Sequence, residues 1–121
     1  MEYESYRVVD SVHYPGVSFT ILRMSLERRL ELTRRIFALA QKHEYLQAGK
    51  DAKDKIEAAI VAAEVDRIYL EWGLIKVEGL VLDGEIATPQ RLLEAGPEEL
   101  CREVLMAIRS ECGLSETERK N

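Results

Sequence analysis

Little in this sequence suits cross-linking, metal binding or membrane insertion. Two cysteines and two histidines stand among 121 residues. Cys101 and Cys112 are predicted to share one helix, where their spacing puts them about 16 Å apart, beyond disulfide reach. His13 and His43 fall in distant segments and join neither cysteine in zinc-ligand spacing. The seven glycines are scattered singly, so there is no glycine-rich loop to cradle a phosphate. A Gly-x-Ser-x-Gly elbow is missing, and neither histidine has helix-spaced acidic or cysteine partners. Apolar runs are short: the longest, such as Ala58 to Ala63, are broken by charge within a turn or two, far below a membrane span. The opening Met-Glu-Tyr-Glu-Ser-Tyr-Arg is acidic and lacks the basic-then-apolar layout of a secretory leader. Basic residues are in the minority, with 17 Lys and Arg against 22 Asp and Glu and a net charge of −5. Broad attraction to nucleic acid is therefore not expected. The expectation is a reduced, cytoplasmic protein that binds neither nucleic acid nor membrane and uses no metal or cofactor.

What is present is a globular composition, 46% hydrophobic and 32% charged, in a chain of single-domain length. Such a chain buries roughly two-thirds of its unfolded surface without disulfide or metal help. Residues 1–24 read as a β-hairpin. Val8, Val9 and Val12 form a β-rich run, His13-Tyr14-Pro15-Gly16 breaks it, and Val17, Phe19 and Ile21 alternate toward a core. Residues 25–72 read as a helical hairpin. Ser25 is the N-cap of its first helix, and Gly49 is the C′ residue that stops it. Leu32, Ile36, Leu39, His43 and Leu46 make a heptad-like seam, which Leu26, Leu30, Phe37 and Ala40 widen. Asp51 caps the second helix and Gly73 closes it. Its two neighbouring stripes are Ile56, Ala59, Ile60, Ala63, Arg67 and Leu70, and Ala58, Ala62, Val65, Tyr69 and Trp72. So many alanines place this helix near the centre of the fold, where Ala59→Glu or Ala63→Glu would bury a charge and prevent folding. Residues 74–87 read as a short β element, weakened at Gly79 and turning at Asp83-Gly84. Residues 88–113 hold two helices, opened by Thr88-Pro89 and separated at Gly96-Pro97, and 114–121 form a polar tail. The fold class is α+β: a small antiparallel β element packed on a long helical hairpin, with a C-terminal helical segment.

Two features stand out as candidate contacts. Arg28, Arg29, Arg34 and Arg35 lie opposite the apolar seam, partly balanced by Glu27 and Glu31. Residues 25–48 carry five basic groups against three acidic, whereas 51–72 carry a net negative charge. This is either a solvated face with i,i+4 pairs or an electrostatic contact with an acidic neighbour such as another copy of this chain. Tyr69, Trp72 and Met106 form the second set. Met106 falls away from the apolar stripe of the last helix, whereas Tyr69 and Trp72 fit either core packing or an interface. His43 reads as a partly buried seam residue, and Glu98-Glu99 as acids at a helix N-terminus.

The order of these pieces resembles the tail assembly chaperones of long-tailed phages and prophages. The similar segments are Val17 to Phe37, VSFTILRMSLERRLELTRRIF, and Leu82 to Asn121, which holds DGEIATPQRLLEAGPEEL and the closing GLSETERKN. Together they cover about half the chain, and its middle carries a fuller β region than the plainest members. The resemblance implies a non-enzymatic binding role in the bacterial host cytoplasm. Such proteins hold the tape-measure protein soluble and help recruit tail-tube subunits, and they have no catalytic residues. It also implies a frameshifted longer product. Arg119-Lys120-Asn121 can be encoded by an A-ending arginine codon followed by AAA AAC, a heptamer that supports a backward slip of one nucleotide. Two other roles fit the residues: a structural tail-completion or head-tail joining subunit, and a small ligand-binding domain or enzyme using His43 or the arginines.

Overall fold

Strands β1 (Tyr6–Asp10) and β2 (Ser18–Leu22) form the N-terminal hairpin, with Val9 opposite Phe19. Helices α1 (Leu26–Ala48) and α2 (Ala52–Gly73) follow, then β3 (Leu74–Glu78), β4 (Val81–Leu82), β5 (Glu85–Ile86), α3 (Pro89–Ala95) and α4 (Glu98–Glu111). The computed structural model describes residues 1–113. The polar tail, its Ser115–Glu118 capping pattern and the slip-prone Arg119-Lys120-Asn121 lie outside the described residues. β3 pairs antiparallel with β2, giving a three-stranded sheet in the order β1-β2-β3, while β4 and β5 form a separate ribbon. The architecture is α+β with a long helical hairpin. No helix among the described residues is long and apolar enough to cross a membrane.

Local chemistry accounts for most element boundaries. Ser25 Oγ accepts a hydrogen bond from the Arg28 N–H, and Thr88 Oγ1 accepts one from the Arg91 N–H just after Pro89 opens α3. Asp83 and Gly84 both have positive φ, as a tight β4–β5 turn requires. Two expected caps differ. Asp51 precedes α2 without a side-chain capping bond, and Gly49 leaves α1 in extended backbone, not the left-handed region. The strand expected from residue 74 to 82 is split at Gly79, whose φ is +80°. A Cβ there would stand 2.0 Å from the Gly16 carbonyl oxygen, so only glycine lets these two turns meet.

The main core is built where the sheet meets the C-terminal half of the chain. Phe19 and Ile21 of β2, Leu74 and Val77 of β3, Tyr69, Leu70 and Trp72 of α2, Leu92 of α3, and Leu100, Val104 and Ile108 of α4 form one buried cluster. Gly73 permits this junction, because a Cβ would come within 2.9 Å of the Ile108 side chain. From α1 only Leu32 is buried in that cluster. The sheet is thus backed by α4 and one end of α2, not by the whole helical hairpin. Near its turn the hairpin has a small core of its own, Leu46, Ala58 and Val61, with Leu39 packed against it.

This arrangement corrects three expectations about the hairpin. The α1 seam faces α2, with Leu32 and Leu46 buried and Ile36, Leu39 and His43 half-buried, but Leu26, Leu30, Phe37 and Ala40 are exposed and do not widen it. On α2 the stripe through Ala58, Tyr69 and Trp72 is buried, as expected of packing against a neighbour. The other stripe is not: Ile56, Ala59, Ile60, Ala63 and Arg67 are exposed, and only Leu70 is buried. α2 is therefore central at its C-terminal end alone. The reason is reach, since α1 covers one side of α2 while α3 and α4 cover the opposite side only near Leu70.

Candidate docking surface on the helical hairpin

The four arginines of α1 do not form one face. At about 100° per residue, positions 28 and 35 share a side, and 29 and 34 point elsewhere. Arg28 Nη1 donates to the Ser5 carbonyl at 2.6 Å and to the Arg23 carbonyl at 3.0 Å, tying the N-terminal segment to α1. Arg23 supports the same segment by donating to the Glu4 carbonyl and lying 5.6 Å from the Tyr3 ring centre. The Arg29 guanidinium donates to the Cys112 carbonyl at 3.4 and 3.5 Å, where the negative end of α4 favours a cation. Arg35 pairs with Glu31 at 3.4 Å in the i,i+4 arrangement. Arg34 alone of the four has no such partner among the described residues. The expected arginine cluster is thus corrected to three engaged side chains and one exposed cation.

Tyr69 and Trp72 are buried in the main core, so the packing reading holds for both. The Arg109 guanidinium stacks 5.2 Å from the Tyr69 ring centre and is ion-paired with Asp66, joining α4 to α2. His43 and Glu44 line the cleft beside this pair, together with Ile36, Ala40 and Ala62. Met106 is 65% exposed on α4, beside a hollow lined by His13, Glu99, Arg102 and Glu103. Glu103 was not singled out in the sequence, yet it anchors the β1–β2 loop. Its carboxylate accepts from the Ser11 hydroxyl at 2.8 Å and from the Val12 N–H at 2.7 Å. Burial opposes its ionisation, but these bonds, with a further one from the His13 N–H and the His13 charge, hold its pKa below the usual carboxylate range. Cys101 and Cys112 are both free thiols, pushed up in pKa by burial first and by Glu98 and Glu111 respectively. Arg29 and Arg109 partly offset the shift at Cys112.

Both helices of the hairpin carry uncovered apolar side chains. Ile56 is 62% exposed and Ile60 54%, with Ala59 and Ala63 between and beyond them on one outward face of α2. Toward the C-terminal end this face runs into a hollow of about 730 Å³ against α3, lined by Arg67, Glu71, Pro89, Gln90, Leu93 and Glu94. On α1, Leu26, Leu30 and the 57%-exposed Phe37 form a second outward strip, turned away from α2. The breadth of apolar surface on α2 was a sequence signal for this. Two adjoining stripes exceed the single face that one helical neighbour covers, so the surplus is either covered by a third element or left outside. Among the described residues, no group of His, Cys, Asp or Glu has the arrangement of a metal site. Comparison with known protein families, curated proteins and solved structures finds no match.

Proposed function

We propose that this chain is a non-enzymatic tail assembly chaperone of a phage or prophage, acting in the host cytoplasm. It binds an amphipathic helical client, the tape-measure protein, and assists assembly of the tail tube. The observation that carries the reading is the pair of uncovered apolar helix faces on the hairpin, Leu26, Leu30 and Phe37 on α1 and Ile56 and Ile60 on α2. A face of this kind is what helix-in-groove recognition uses, reading anchors at i, i+3, i+4 and i+7 of the partner. Covering each large side chain that is half-exposed or more contributes about 1–2 kcal/mol, enough for a reversible grip when several act together. The net charge of −5 supports a keeper's role by holding partly loaded chains apart in solution. The sequence resemblance supports it too, since its first segment spans β2 and the capped start of α1.

The test is co-expression with the tape-measure protein, followed by affinity capture and by mass spectrometry of purified particles. A chaperone is recovered with soluble tape-measure protein and is absent from finished particles. Recovery from particles at fixed stoichiometry would replace this reading with that of a structural tail-completion or joining subunit.

A further inference from the structure

We infer that the outward face of α2, with the groove where it meets α3, receives a basic amphipathic helix. This rests on the reading of the protein as a holder of helical clients, and it names both the receiving face and the charge of the client. Ile56 and Ile60 supply the uncovered apolar ridge, while Ala59 and Ala63 are small enough for a helix axis to approach closely. One flank of that ridge carries Glu57, Glu64 and Glu71, each seven residues from the next and therefore nearly in line along the helix. Glu57 and Glu64 stand three and four residues from Ile60, within reach of the same partner helix. Neither has an ion-pair partner among the described residues. Glu71 pairs among them only with Arg67, at 3.8 Å and with both side chains more than half exposed. Arg67 lies on the ridge itself, so the face from Ile56 to Glu71 presents three carboxylates against one exposed cation. From Ile56 to Glu71 the face is about 22 Å long, room for roughly four turns of partner helix. Its far end opens into the hollow beside Pro89 and Leu93.

Charge selects among occupants. A second copy of this chain would offer the outward strip of α1, but Arg28, Arg29 and Arg35 are already engaged within their own chain. Only Arg34 would remain beside that strip to meet the three glutamates. A membrane surface with anionic headgroups would be repelled by the same glutamates. A helix with lysines or arginines beside its apolar stripe satisfies both the ridge and its flank.

The experiment titrates the full chain into two labelled synthetic helices that share one leucine stripe, flanked by lysines in one and glutamates in the other, and reads fluorescence anisotropy. The lysine peptide is expected to bind at least about tenfold tighter, with affinity falling as salt rises. Ile60→Asp should weaken it about tenfold or more. The double change Glu57→Gln, Glu64→Gln should remove much of the salt dependence, and Val8→Asp, at an exposed position of β1, should bind as wild type. Equal affinity for the two peptides, or unchanged binding by a folded Ile60→Asp, would overturn the assignment. So would a wild-type dimer in sedimentation that Ile60→Asp dissociates, since the occupant would then be a second copy. Capture of tape-measure protein separates this proposal from the chaperone reading. Undiminished capture by Ile60→Asp overturns the assigned face and leaves the chaperone standing. Lysine-peptide binding without any wild-type capture does the reverse.

Discussion

Placing the same carboxylate on two faces of α2 tests the architecture most directly. Ala58 is 4% exposed and packs with Leu46 and Val61, a cluster that holds no basic group. A glutamate there must bury an unpaired charge or break the contact between α1 and α2, at a cost of about 3–5 kcal/mol. At about 2.1 cal/mol/K per residue, the unfolding entropy of this chain is about 0.25 kcal/mol/K, so a loss of 3 kcal/mol lowers Tm by about 12 °C. Ala63 is exposed, and a glutamate there sits four residues before Arg67. We expect Ala63→Glu to stay within about 0.5 kcal/mol of wild type, a shift of about 2 °C or less. Far-UV circular dichroism melts measure both shifts. The near-UV signal of buried Trp72 shows whether Ala58→Glu unfolds the whole chain or only frays the hairpin near its turn. Equal destabilisation by the two variants, or unfolding by Ala63→Glu, would refute the outward placement of the Ile56–Ala63 face.

Three further outcomes follow from the contacts. Gly79→Ala forces a Cβ onto the Gly16 carbonyl and should cost clearly more in a denaturant titration than Gly84→Ala, where a positive φ is strained at about 1–2 kcal/mol but the space is open. Glu103 has a folded pKa below its unfolded value, so its stabilisation is complete above about pH 4.3 and is lost as the pH falls through the folded pKa. Glu103→Gln should therefore melt below wild type at neutral pH, with the gap closing in acid. Arg28→Glu should release the N-terminal segment and cost about 1 kcal/mol, read by hydrogen exchange at residues 3–6, whereas Arg34→Glu should leave stability nearly unchanged.

The residues that determine local structure were legible in the sequence because their effects are short-ranged. Ser25 and Thr88 cap helices through their own hydroxyls, Asp83-Gly84 takes the backbone angles of a tight turn, and Phe19 alternates inward because strand geometry leaves it no other face. The Leu32–Leu46 seam was legible for the same reason, as helical periodicity marks one face without reference to the rest of the chain. Periodicity says which residues share a face, but not what covers it. Tertiary structure alone decided that Tyr69 and Trp72 are inside while Ile56 and Ile60 are outside, because α3 and α4 reach only the last turns of α2. It also decided the fate of Arg28 and Arg29. Their partners include the Ser5 and Cys112 carbonyls, 23 and 83 positions away, which no pattern within α1 could foretell. The Glu31–Arg35 pair, by contrast, follows from i,i+4 spacing alone. The uncovered face of α2 arises from this difference in range: local rules made the helix apolar on two sides, and the packing of distant elements covered most of one side and only the end of the other.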